Sequence, residues 1–190
     1  FTKHQLPKIS SKEEAHFDLE QYNLNGSIKT TTNEESNGTY VVGAEIAKSG
    51  SIEIDAEVEE AGLYNITYVT GYKKNNNGIS KVTFKIGDTV IGDNVGEGKL
   101  LDGYASGNAY NTYTPMSKYE KMVWLDKGIT KIYVDVAPRN TDGAKYTYQY
   151  DYIKFEAVTN KLAVSENNVE AKVYYKESVS GTPILALYNG

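Results

Sequence analysis

Ser51-Ile52-Glu53-Ile54-Asp55-Ala56-Glu57-Val58-Glu59 is the stretch that decides the fold class. Apolar and polar residues alternate through it without a break. Successive side chains of a strand leave on opposite faces, so period two marks a half-buried strand. Ile52, Ile54, Ala56 and Val58 therefore line a core, and the acids face water. Gly62 turns the chain into Leu63-Tyr64-Asn65-Ile66-Thr67-Tyr68-Val69-Thr70, a second strand. The same alternation returns in Lys81–Ile86, closed by Gly87-Asp88, and in Lys121–Leu125. After a turn at Asp126-Lys127-Gly128 it resumes in Thr130–Val136, and last in Tyr150–Ala157. His16-Phe17-Asp18-Leu19-Glu20 reads as an opening strand. Helical periodicity is nearly absent. Strands at this spacing, with turn signals between them, predict an all-β chain folded as an antiparallel two-sheet β-sandwich, jelly-roll-like in outline.

Three stretches break the alternation: 71–79, 92–118 and 138–147. The second is long, rich in Gly, Asn and Tyr, and carries Tyr104, Tyr110 and Tyr113. Loops of this length in a compact domain are usually functional or disordered, and three aromatic rings argue against plain disorder. Residues 1–14 read as an N-terminal extension and 15–158 as the sandwich. Residues 159–190 read as a linker or the start of a following β-module, with Lys172–Tyr175 and Ile184–Tyr188 as its candidate strands.

The chain has 190 residues, no cysteine and two histidines, His4 and His16. Disulfides, thiolate metal sites and cysteine nucleophiles are excluded, and zinc hydrolysis lacks its histidines. Neither histidine lies beside a nucleophile signature, and no carboxylate pair sits in a recognisable glycosidase motif. The reading is therefore not an enzyme. The net charge of −5 argues against a nucleic-acid partner, which needs a basic stripe. No apolar run is long enough for a membrane helix. The chain starts at Phe1, which points to a processed form or an excised fragment. Tyrosine occurs 17 times against one tryptophan, and asparagine is nearly as frequent as tyrosine. Tyr and Asn suit wet polar ligands, since one stacks and the other hydrogen-bonds in both senses. Tyrosine also favours strands, so Tyr64, Tyr68, Tyr133 and Tyr152 read as packing residues.

Asp18 and Glu20 lie two apart on that opening strand, so both point to one face. Asp151 falls on the face of Ile153 and Phe155, the core side, where a carboxylate needs a partner or a cation. If the first and last strands pair, the three carboxylates converge. Hard oxygen ligands without His or Cys select calcium; a solvated face for Asp18 and Glu20 is the alternative.

Phe17-Asp18-Leu19-Glu20 resembles the opening Glu-Ala-Glu strand of carbohydrate-binding module families 6 and 35. Asn37-Gly38-Thr39-Tyr40-Val41 is similar to their Gly-x-Tyr-Val segment, and Ala61-Gly62-Leu63-Tyr64 to their Ala-Gly-x-Tyr passage. Val123–Ile129 resembles their Val-x-Leu-x-x-Gly-x hairpin, and Gln149-Tyr150-Asp151-Tyr152-Ile153 their closing Asn-x-Asp-Tyr-Ile strand. The matches run in family order across about residues 15–158. The resemblance implies a sandwich with a structural calcium on Asp18, Glu20 and Asp151, joined by backbone carbonyls from residues 33–39. Asp18 stands where the family has Glu, one methylene longer. It also implies a sugar site in the loops at one end, built from Tyr40, from Tyr110 or Tyr113, and from Gln149 in place of the family's Asn. Tyr72, in the neighbouring 71–79 loop, joins that set as an open candidate. The function so implied is a non-catalytic module of a secreted or cell-surface bacterial protein. It binds an oligo- or polysaccharide as a monomer and serves a catalytic domain of the same parent chain, a glycoside hydrolase or polysaccharide lyase. The alternative is a structural spacer or adhesive sandwich without a sugar site.

Overall fold

The computed structural model describes residues 6–26, 28–32, 40–45, 50–72, 81–93, 99–100, 117–137, 147–165 and 168–176. Fifteen strands run through them: β1 (Lys8–Ile9), β2 (Ala15–Asp18), β3 (Asn23–Gly26), β4 (Ile28–Thr32), β5 (Tyr40–Glu45), β6 (Gly50–Val58), β7 (Gly62–Tyr72), β8 (Lys81–Ile86), β9 (Thr89–Asp93), β10 (Lys99–Leu100), β11 (Ser117–Leu125), β12 (Gly128–Ala137), β13 (Thr147–Ala157), β14 (Lys161–Ser165) and β15 (Asn168–Lys172). A six-stranded sheet takes the order β1-β6-β12-β8-β9, with β3 also on β6. A seven-stranded sheet takes the order β10-β11-β7-β13-β5-β4, with β2 also on β13. Every pairing is antiparallel except β1 with β6. The fold is the expected all-β antiparallel sandwich.

The alternation does what it predicts. Ile52, Ile54, Ala56 and Val58 are all buried, as are Ile132 and Val134 opposite them on β12. The facing sheet contributes Phe17, Tyr64, Ile66, Tyr68, Ile153 and Phe155 to the same core. Tyr68 bridges the layers: its ring stacks on Phe84 of the other sheet at 4.3 Å and on Tyr119 of its own at 5.2 Å. Tyr64 is equally buried, and its hydroxyl donates to the Glu60 carbonyl at 2.8 Å. Both tyrosines are packing residues. Gly87, at φ +54°, makes the β8–β9 turn in a region that side chains other than glycine's seldom adopt.

Four expectations are revised. The opening strand stops at Asp18, and Leu19–Gln21 form a 3₁₀ turn, so Glu20 is not on a strand. Leu19 is fully buried on that turn, which keeps the apolar rhythm of Ala15 and Phe17 while the backbone changes course. The 92–118 interval is interrupted by β10, and β11 begins at Ser117. Upstream, β1 pairs with Glu57 and Val58, and Ile9 is fully buried, so residues 8–9 are built into the sandwich. In the tail the hairpin is β14–β15; Val173–Tyr175 lie in no strand, and Ile184–Tyr188 lie outside the described residues. Leu162 and Val164 alternate with Lys161, Ala163 and Ser165, which is the signal for this hairpin in the sequence.

Candidate functional site

The two edges of β13 differ. One is occupied along its length by β7. The other is shared end to end, with β5 against Thr147–Tyr150 and β2 against Tyr152–Phe155. Where β2 takes over from β5, the register with β7 slips. Tyr150 pairs with Thr70 and Ile153 with Tyr68, so β13 spends three residues where β7 spends two. That is a β-bulge, which re-aims side chains and commonly lies beside functional sites. Asp151 sits in it and is 2% exposed.

The opening acids arrive at the same junction. Asp18 pairs with Tyr152, and Phe17 with Ile153. Phe17 also packs on Phe155, with ring centroids 5.4 Å apart, which anchors β2 to the core. His16 Nε2 lies 3.0 Å from Asp18 Oδ1, and Gln21 Nε2–H donates to Asp18 Oδ2 at 3.1 Å. The His16 ring in turn packs on Tyr152 at 4.5 Å. Glu20, on the 3₁₀ turn, has its Oε2 buried with no hydrogen-bond partner. Burial pushes the Glu20 carboxyl up, and the charges of Asp18 and Asp151 push it further; its own backbone N–H and His16 oppose them. Glu20 thus feels both Asp18, beside it in sequence, and Asp151, from the far end of the sandwich's sequence.

This donor set has the chemistry of a hard-cation site: carboxylate oxygens, one of them buried and unpartnered. Asp18 is half-committed, because His16 and Gln21 hold its two oxygens. Among the described residues no three His, Cys, Asp or Glu side chains are grouped tightly enough to enclose a metal. Residues 33–39, which the resemblance enlists as carbonyl donors, lie outside the described residues.

The second candidate site belongs to the end of the seven-stranded sheet where β7 finishes and β13 starts. Tyr148 pairs with Tyr72 on one side and Ala44 on the other, and Gln149 pairs with Gly71 and Gly43. Gln149 and Tyr72 therefore fall one register step apart on neighbouring strands, which places them on opposite faces of the sheet. Tyr40 stands at the opposite end of β5, four residues from Ala44, which is about 13 Å along the strand. Its neighbour there is Thr32 of β4. Tyr110 and Tyr113 lie outside the described residues. Of the tyrosines read as strand packing, Tyr133 is half-buried with the Lys131 ammonium 5.7 Å from its ring centre, and Tyr152 is half-buried against His16.

Sequence reasoning missed a third feature. At the other end of the sheet a cavity of about 240 Å³ opens beside Trp124, Asn160 and Tyr174. The signal was the single tryptophan, placed two residues before the Asp126-Lys127-Gly128 turn.

No family model and no curated protein matches the chain. Solved structures do, and they bear on the fold. The mosquito-larvicidal Cry4Aa toxin of Bacillus thuringiensis is 13% identical at a TM-score of 0.55, over 81% of this chain and 25% of the toxin. The chain thus spans a quarter of that protein's length. Carbohydrate-binding modules are also among the similar structures. The C-terminal family 6 module of a marine laminarinase from Zobellia galactanivorans is 13% identical at a TM-score of 0.49, over 76% of this chain and 99% of the module. A family 35 module from Clostridium thermocellum is 16% identical at 0.48, over 77% of this chain and 99% of the module.

Proposed function

We propose that the chain is a non-catalytic carbohydrate-binding module with a structural calcium, part of a secreted, multi-domain, glycan-active bacterial enzyme. The observation that carries this reading is the junction at the β13 bulge. The resemblance to module families 6 and 35 assigns the cation to two opening acids and one closing Asp; the pairing of β2 with β13, which sets Asp18 opposite Tyr152 next to Asp151, supports that reading. Glu20 and Asp151 bring buried carboxylate oxygens, and Asp18 lies beside them; a divalent cation there would offset charge that otherwise opposes folding.

The sugar site in this reading lies at the loop end of the seven-stranded sheet. Gln149 supplies an amide, Tyr110 or Tyr113 a stacking platform, and Tyr40 a further ring along β5, with Tyr72 an open candidate at the end of β7. A pyranose has an apolar C–H face and a rim of hydroxyls; a ring covers the first and amides satisfy the second. The ligand is an oligo- or polysaccharide, bound weakly because a shallow site leaves most hydroxyls wet.

Affinity gels and a glycan array with the purified protein, with and without EDTA, test the proposal. Retardation by at least one glycan is expected. Tyr72→Ala, Tyr110→Ala, Tyr113→Ala and Gln149→Ala then locate the site, and loss of the stacking ring weakens binding by about 1–3 kcal/mol. Wild type that binds none of a broad set of plant, host and microbial glycans would instead mark a structural spacer.

A further inference from the structure

We infer that the end of the sandwich opposite those loops carries a second binding pocket, for a single neutral sugar ring. Gly62 and Tyr72 are the two ends of β7, ten residues or about 33 Å apart, so this pocket is separate from the loop-end site. It lies where Leu63 of β7 pairs with Trp124 of β11 and where β13 runs out through Ala157, Val158 and Thr159. Its volume, about 240 Å³, is below the ~300–1,000 Å³ that drug-sized ligands occupy and suits one ring.

The walls select the chemistry. Among the described residues no charged side chain lines the pocket, although a quarter of all residues are charged. Three charges border it. Asp126 and Lys176 are spent on each other, with Lys176 Nζ 2.6 and 2.9 Å from the two carboxylate oxygens, and the Glu60 carboxylate accepts from the Ser11 backbone N–H at 3.1 Å. A neutral ligand follows. The walls offer the rings of Trp124 and Tyr174 and the hydrogen-bonding groups of Thr159 and Asn160. Rings beside a hydroxyl and an amide suit a ligand with a C–H face and a hydroxyl rim.

The pocket is also preorganised. The Trp124 indole N–H donates to Asp126 Oδ1 at 3.2 Å, which fixes that side chain and leaves the ring itself for contact. Tyr174 belongs to no strand, yet it is half-buried between exposed Val173 and Tyr175. Its backbone N–H donates to Asn160 Oδ1 at 3.0 Å, and Lys176 ties the next residues to Asp126. With Oδ1 committed, the Asn160 amide retains its two N–H donors for a ligand hydroxyl.

The single tryptophan makes the test specific, because its emission reports this pocket alone. The intact chain is titrated with methyl glycosides of glucose, galactose, mannose and xylose while tryptophan fluorescence is followed. A saturable change with at least one glycoside, in the millimolar range, is expected. Asn160→Ala should weaken it about three- to tenfold, as loss of one or two hydrogen bonds does. Tyr174→Ala should weaken it too, and Gln149→Ala should leave it unchanged. Asn160 is exposed, so its variant retains the fold. No saturable change with any glycoside overturns the inference. So does a response that survives Asn160→Ala and Tyr174→Ala undiminished, or one abolished by Gln149→Ala.

Discussion

Glu20→Gln should change sign with the metal. In the calcium-free protein the Glu20 carboxylate is a liability: Oε2 is buried without a partner, and Asp18 and Asp151 repel it. Glutamine keeps the volume and removes both the like-charge repulsion and the desolvation of an ion. In EDTA near pH 7 the variant should therefore melt above wild type. Calcium should reverse the order. A ligand that binds only the native state stabilises it by RT ln(1 + [L]/Kd), about 2.7 kcal/mol at a hundredfold excess over Kd. For a chain of this size 1 kcal/mol moves the melting temperature by about 2–4 °C. Wild type should gain about 5–11 °C from calcium, and Glu20→Gln, with one anionic ligand fewer, much less. Scanning calorimetry of both proteins, with calcium and with EDTA, reads all four values. If the variant melts below wild type by the same margin in both buffers, the carboxylate is serving a protein partner and not a cation. If calcium leaves wild type unmoved, the junction holds no metal.

Tyr68→Phe should flatten the alkaline limb of the stability curve. Burial pushes the Tyr68 phenol up to about 12, from 10.0. The folded state holds this proton more tightly than the unfolded chain. The contribution is therefore complete below pH about 10 and is lost as pH rises from about 10 to about 12, on the order of 2–3 kcal/mol. Urea denaturation at pH about 8 and about 11.5 measures the difference, and an equal alkaline loss in both proteins would refute it. Gly128→Ala should lower stability by about 1–3 kcal/mol, although nothing lies within 4 Å of the added methyl group, because the backbone there is at φ +128°; unchanged denaturation would show that the turn relaxes freely. Asp126→Asn should leave the melting temperature unmoved, since exposed ion pairs contribute little. It should still speed amide exchange at 174–176 by releasing Lys176, and unaltered exchange there would mean another contact holds the segment.

The sandwich was legible because its strands bury one face each. Ile52, Ile54, Ala56 and Val58 alternate so regularly that one β-strand assignment satisfies them all, and burial follows. Tyr64 and Tyr68 were legible as packing residues for the same reason. The acid junction was legible only in part. Strand parity placed Asp151 beside Ile153 and Phe155, but the bulge that seats it depends on β7, eighty residues upstream, and no local pattern announces it. The 3₁₀ turn at Leu19–Gln21 was hidden because Leu19 keeps the period-two rhythm while leaving the strand. Of the pocket beside Trp124 only the tryptophan was legible, because the pocket exists only where Asn160 and Tyr174 fold back against a turn that precedes them by more than thirty residues.

The shared edge of β13 also governs the order in which this chain can fold. β2 and β5 both wait for a strand that is made more than a hundred residues later, and β7 waits for the same strand on its other side. While residues 147–157 are still missing, the largest sheet has open edges on β2, β5 and β7 and no centre. Domains dominated by such distant pairings fold in milliseconds to seconds, not microseconds. The last strand is therefore the closing step, and a chain cut before residue 157 cannot complete its central sheet. Lys154 on that strand, paired with Glu14 at 2.8 Å and with Glu156, keeps charge along an edge that would otherwise invite pairing with a second unfinished copy.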